Sequence, residues 1–122
     1  MNYILVFVGG GSGSVVRYLL SRYFVHQPGA FPLSTFLSNT ISSFILGALV
    51  AYMASKPTGN DNLRLFIATG FCGGFSTFST FSYETFSLLN SGNYKTALLT
   101  IFGNLLICYI AIAAGFMLGK NI

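Results

Sequence analysis

The chain predicts an all-α membrane protein of four transmembrane helices, with the third helix broken mid-span. Three observations lead there. Of its 122 residues, 53% are hydrophobic and 7% are charged, whereas a soluble domain carries about 25% charged residues. So few charges cannot clothe a surface in water. The apolar residues gather into four stretches, at 3–24, 36–54, 63–89 and 96–118, and a spanning helix needs roughly 20 such residues. The third stretch is longer than that and holds Gly70-Phe71-Cys72-Gly73-Gly74-Phe75-Ser76-Thr77-Phe78-Ser79-Thr80-Phe81. Glycines, hydroxyls and phenylalanines are interleaved there inside an apolar segment. In lipid, loosened backbone is tolerated only against protein or a wet cavity, and a broken membrane helix exposes carbonyls and amides to an ion.

Each element follows from its own residues. The first span carries Gly9, Gly10, Gly11 and Gly13, and Gly9 and Gly13 lie one turn apart, which lets helix backbones approach closely. A phosphate-loop reading of this run fails, because no Lys-Ser/Thr follows it. His26-Gln27-Pro28-Gly29 with Pro32, then 55–62, then Asn90-Ser91-Gly92-Asn93 separate the spans; Pro and Gly clusters of this kind end helices. The third span is expected to be interrupted at Gly73-Gly74 and to resume after Thr77. No soluble domain fits between the spans, so residues 1–122 read as one four-helix domain. The first apolar run lacks a basic leader and is expected to be a retained span rather than a cleaved signal.

Charge and cysteine usage exclude several classes. Net charge is +4, from six Lys/Arg against two carboxylates, but the basic residues are scattered, which fits lipid headgroups rather than nucleic acid. Cys72 and Cys108 sit inside apolar runs without a CxxC or Cys/His cluster, so neither a disulfide framework nor a zinc site is expected. Only two acidic residues are available to serve chemistry and no nucleophile is paired with a base, which argues against an enzyme.

Orientation is nearly undetermined by charge. With four spans, Lys56, Arg64 and Lys120 share one face while Arg22 and Lys95 share the other. Topology follows the Lys/Arg difference between faces, and here that difference is almost nil. The chain is therefore expected to insert both ways and to pair as an antiparallel dual-topology homodimer. A four-helix unit this small also struggles to enclose a solvated pathway alone, which points to a homodimer independently.

Candidate functional residues cluster on the second, third and fourth spans. Phe78 and Phe81 are three apart and share a helix face; their ring edges can attract an anion, or the rings can simply pack. Asn39 lies mid-span, where its amide either donates to an anion or bonds another helix. Ser79 and Thr80 add hydroxyls beside the rings, although in-span hydroxyls often bond back to helix carbonyls. Thr100, Asn104 and Cys108 recur every four residues and lie on one face. Arg17 and Glu84 are the in-span charges, and such residues default to functional candidates. Arg17 can draw anions into a vestibule, snorkel, or pair with Glu84. His26 lies in a loop beside Pro28-Gly29 and is expected to be solvated.

Four stretches together resemble the CrcB/Fluc family of fluoride channels: 9–17 with Gly9 through Arg17, 35–47 with Thr35-Phe36-Leu37-Ser38-Asn39 through Gly47, 70–84 from Gly70 to Glu84, and 104–108 with Asn104-Leu105-Leu106-Ile107-Cys108. The resemblance covers essentially the whole chain, and the third stretch is its most specific part. It implies an antiparallel homodimer with two fluoride pathways and a structural sodium ion at the dimer centre. By position, it implies that Phe78, Phe81 and a pore-facing Asn39 line the pathway, with Thr100, Asn104 and Cys108 as its polar track. It likewise implies that the backbone carbonyls of Gly73 and Ser76 bind the sodium. The chain departs from the family at Cys108, usually serine, at Ile112, often threonine, and at Ser76, commonly threonine.

The expected activity is passive, fluoride-selective export of the anion from a prokaryotic cytoplasm, across the cell membrane in which the chain is embedded. A small proton-coupled multidrug exporter is the alternative. It needs a membrane carboxylate to exchange protons, and Glu84 is the in-span candidate. A non-transporting assembly subunit would share the small-residue packing but would have no use for the interrupted polar span.

Overall fold

A computed structural model describes residues 1–56 and 59–122; Pro57 and Thr58 of the expected second loop lie outside the described residues. Among the described residues every regular element is helical. Helix α1 runs Asn2–Tyr23 and closes with the Phe24 N–H on the Leu20 carbonyl, 2.8 Å. Gly29, at φ +81°, turns the chain towards Pro32, which precedes α2 at Leu33–Ala54. Helix α3 covers 61–75 in three pieces: Asp61–Leu63, capped by Asn60, a π-helical stretch Arg64–Cys72, and Gly73–Phe75. Helix α4 is Phe78–Asn90, and after Gly92, at φ +83°, α5 runs Tyr94–Asn121.

Helices α1, α2 and α5 are long and apolar enough to cross a membrane. The stretch expected as a span at 63–89 falls on α3 and α4, which are separated by Ser76 and Thr77. The interruption was expected at Gly73-Gly74 and begins instead just downstream, at Ser76, while the helix resumes after Thr77 as expected. Both glycines are helical, and Gly73 has φ −63° and ψ −36°. Gly74 serves close packing on Gly10 of α1 rather than bending.

Helix α1 packs chiefly on α3, α2 on α5, and α4 leans on α5. Small residues set both main contacts. A Cβ at Gly9 or Gly13 would collide with the carbonyl oxygens of Phe66 or Phe71, and one at Gly74 with that of Gly10. Across the other pair, a Cβ at Gly47 would strike the Ile112 carbonyl, and one at Gly115 that of Phe44. Removing side chains at these points lets the backbones touch, which is the means by which helices associate where lipid supplies no hydrophobic drive.

Burial runs opposite to that of a water-soluble fold. Ser38 and Thr100 are 0% exposed, while Tyr3 is 91% and Phe7 81% exposed. Exposed apolar patches much larger than a few hundred Å² call for a covering phase. Here bilayer lipid is that phase, and polar side chains such as Ser42, Thr100 and Asn104 are kept inside, where they find partners.

Candidate functional site

The site is built on the two-residue break. Ser76 (φ −80°, ψ 157°) and Thr77 (φ −153°, ψ 123°) are extended, so the helical bonds around them must be replaced. The Ser76 N–H and Oγ both donate to the Cys72 carbonyl, at 3.0 and 2.7 Å. The Gly74 carbonyl accepts from Arg17 Nε at 3.0 Å and from Ser14 Oγ at 3.5 Å. Thr77 donates its N–H to Asn39 Oδ1 at 2.9 Å, and its carbonyl accepts from Asn39 Nδ2 at 3.4 Å. Its side chain caps the next helix, with Oγ1 accepting from the Thr80 N–H at 3.2 Å; threonine is a favoured residue at such a position.

Two carbonyls are left over. Because the Thr77 N–H goes to Asn39 and the Thr80 N–H to the Thr77 hydroxyl, the usual partners of Gly73 and Ser76 are diverted. Among the described residues neither of these two carbonyl oxygens accepts a hydrogen bond. Gly73 and Ser76 line a shallow hollow of about 200 Å³ with Ser42, Ser43 and Cys72. Gly73 is exposed, and a Cβ placed on it would meet nothing within 4 Å.

On one side of the break lies a cavity of about 300 Å³, lined by Asn39, Thr77, Phe78, Phe81, Asn104 and Cys108, with Ile112 on its wall. The Phe78 and Phe81 ring centroids are 5.8 Å apart and tilted by 45°. Phe78 is 78% exposed, so its ring is not held as core packing within the chain. Asn39 Nδ2 also reaches Asn104 Oδ1 at 3.4 Å, and Asn104 Nδ2 donates to the Thr100 carbonyl at 2.8 Å. The two amides thus form a relay from α2 to α5 that ends on the break.

A second cavity, of about 130 Å³, opens on the other side and is lined by Arg17, His26, Thr35, Thr77, Thr80 and Glu84. Thr77 is common to both. Arg17 and Glu84 share this cavity without forming an ion pair; among the described residues the salt bridge present is the exposed Arg64–Asp61 contact at 3.7 Å. Glu84 Oε1 is sealed from solvent and has no hydrogen-bond partner. A buried polar atom without a partner costs about 1–3 kcal/mol, so its retention calls for a use. A third hollow, of about 340 Å³, adjoins on the loop side and shares His26 and Glu84, with Tyr83, Ser87 and Ser91 on its walls. Neighbouring spaces share lining residues, His26 and Glu84 between the third and second and Thr77 between the second and first.

The candidate residues are thus divided. Asn39, Phe78, Phe81, Asn104 and Cys108 meet at one cavity, and Arg17, Thr80 and Glu84 at the other. Ser79 is exposed and lies 3.4 Å from the Thr77 hydroxyl. Thr100, expected in line with Asn104 and Cys108, is buried and donates to the Thr96 carbonyl at 2.8 Å. Sequence reasoning passed over Thr77 and Ser43. The cap pattern of Thr77 three residues before Thr80 marks a helix start, and Ser43, four residues after Asn39, shares its helix face.

A family model described as CrcB-like protein, Camphor Resistance (CrcB), matches residues 4–116. The chain belongs to that family. It is 49% identical over 118 residues to the "Fluoride-specific ion channel FluC" of Pyrococcus furiosus, covering 96% of this chain and 94% of the relative. It is 42% identical to the protein of the same name from Hydrogenobaculum sp., over 98% of each chain. The Escherichia coli FluC is 44% identical over 94% of this chain and 91% of the relative. Family membership and the three apolar helices make this a multi-pass protein of a prokaryotic cell membrane.

Proposed function

We propose that the protein is a fluoride-selective channel that lets the anion leave the cytoplasm passively, lowering its toxicity. The observation that supports this most is the cavity at the helix break, where Phe78 and Phe81 stand beside amide and thiol donors, in a chain whose full-length relatives carry the name of fluoride channels. Fluoride is small and strongly hydrated, so a pore must replace its water without holding it too tightly. Ring edges carry partial positive charge, and Asn104 keeps one amide N–H beyond that given to the Thr100 carbonyl, while Asn39 holds its amide in place. Cys108, a weaker donor than a hydroxyl, and Ile112 make the far end of the cavity less polar. External acid converts fluoride into a neutral acid that crosses lipid and dissociates inside; the membrane potential then drives the anion out through an open path. Conduction, not catalysis, is the activity.

On this reading α3 and α4 together make the fourth crossing, and two copies associate in opposite orientations. The Gly73 and Ser76 carbonyls fit a structural sodium ion. They are unbonded, their residues line a shallow hollow, and oxygen donors suit a hard cation. Two antiparallel copies would supply four such carbonyls, and bound sodium would cancel their mutual repulsion. The chain's own contribution is to divert their hydrogen-bond donors to Asn39 and Thr77.

The test is efflux from liposomes containing the purified protein. Fluoride is expected to leave rapidly and chloride to stay; absent fluoride efflux, or equal chloride efflux, refutes the reading. The sealed carboxylate of Glu84 is the one feature that favours proton-coupled drug export, which would appear as proton-driven movement of an organic cation.

A further inference from the structure

Three side chains border the route where it meets water. His26 and Glu84 both line the outer hollow and the inner cavity, so they stand at the boundary between the two. Arg17 lies just beyond, on the inner cavity. The imidazole and the carboxylate are thus the two titratable side chains common to both spaces. We propose that His26 is a charge-switching residue at the mouth of the pathway, and that its protonation speeds anion entry. This inference rests on the channel reading above and adds a pH-dependent control to it.

The groups facing His26 can be named from each side. Helix α1 contributes Arg17, while Arg22 in its last turn is exposed and donates to the Tyr18 hydroxyl at 3.4 Å. Helix α4 contributes Glu84 and Tyr83, and α2 offers only the hydroxyls of Ser34 and Thr35. Glu84 is the acidic side chain that borders both spaces, and whatever negative charge it carries repels an anion at the threshold. A protonated imidazole places a positive charge beside it, offsets that repulsion and works with Arg17 on the inner side. Fixed charges in a narrow, low-dielectric cleft raise the local concentration of the opposite ion. Histidine is the side chain that changes charge between about pH 5 and 8, so the entrance opens to anions as pH falls. Acid is also the condition under which fluoride enters cells as its neutral acid, so the response is in the useful direction.

The measurement is fluoride current through the full chain in planar bilayers, with equal pH on both sides. Neutral acid crossing the lipid carries no current, so that leak does not register. Unmodified protein is expected to pass at least about twofold more current near pH 5.5 than near pH 7.5. His26→Ala is expected to remove the difference, and His26→Arg to give the higher current at both values. A pH ratio of one in unmodified protein, or an unchanged ratio in His26→Ala, overturns the proposal while leaving the channel intact. A response that survives His26→Ala but is lost in Glu84→Gln assigns the switch to the carboxylate and equally overturns it. No fluoride current at any pH contradicts the channel reading itself.

Discussion

At Asn39 a single amide bonds both the N–H and the carbonyl of Thr77, so truncating it strips two partners from one extended residue. Asn39→Ala is expected to cost about 1–3 kcal/mol, read as earlier thermal unfolding in detergent, with fluoride flux falling alongside. Retained stability would show that water replaces the amide. The rings make a different prediction. Taking aromatic pair energies of about 0.5–1.5 kcal/mol as the scale, Phe78→Ile or Phe81→Ile should lower flux roughly two- to tenfold with assembly retained. Unchanged flux in both variants would reduce the rings to packing. Asn39 also marks a limit of reading residues singly. Its position mid-span was enough to single it out, but whether it faces an anion or another helix depends on a partner, Thr77, that lies 38 positions away.

Among the helices, the glycines divide by face. Gly9 and Gly13 press on the backbone of α3, whereas Gly11 of the same helix has nothing within 4 Å of an added Cβ. Gly9→Ala and Gly13→Ala should each destabilise by about 1–3 kcal/mol through overpacking, and Gly11→Ala should be near neutral. Equal melting of all three variants would mean that α1 and α3 are not in backbone contact. The spacing of Gly9 and Gly13 made a close helix contact legible, because the repeat of one turn is local. The break itself was legible too, from hydroxyls inside an apolar run, and so was its end after Thr77, but its start was not. Glycines serve both bends and tight contacts, and only the position of α1 shows that Gly74 serves the second. The π-helical turns of Arg64–Cys72 carry no sequence signal that we can identify.

For the molecule as a whole, composition alone established the membrane class, since 7% charge allows no other solvent. The proposed antiparallel assembly rests on subtler terms: the balance of Lys and Arg between the two faces, and two carbonyls without partners among the described residues. An antiparallel pair predicts that a tag on the C-terminus is reachable from both sides of the membrane in one population of cells. Labelling from one side exclusively would exclude it. A shared cation predicts that purified protein melts at higher temperature in sodium than in a large organic cation at equal ionic strength, and no difference would remove the ion from the account. The path itself was legible only in fragments. Thr100, Asn104 and Cys108 share a helix face, yet Thr100 is buried by α2 packing on α5 and bonds the Thr96 carbonyl.

The functional expectations depend on an open, anion-selective route past the break at Ser76 and Thr77. Reversal potential under opposed fluoride and chloride gradients in a planar bilayer tests that most directly. A potential that follows the fluoride gradient alone is the predicted result. One that follows chloride, or a membrane that carries no current, would contradict it.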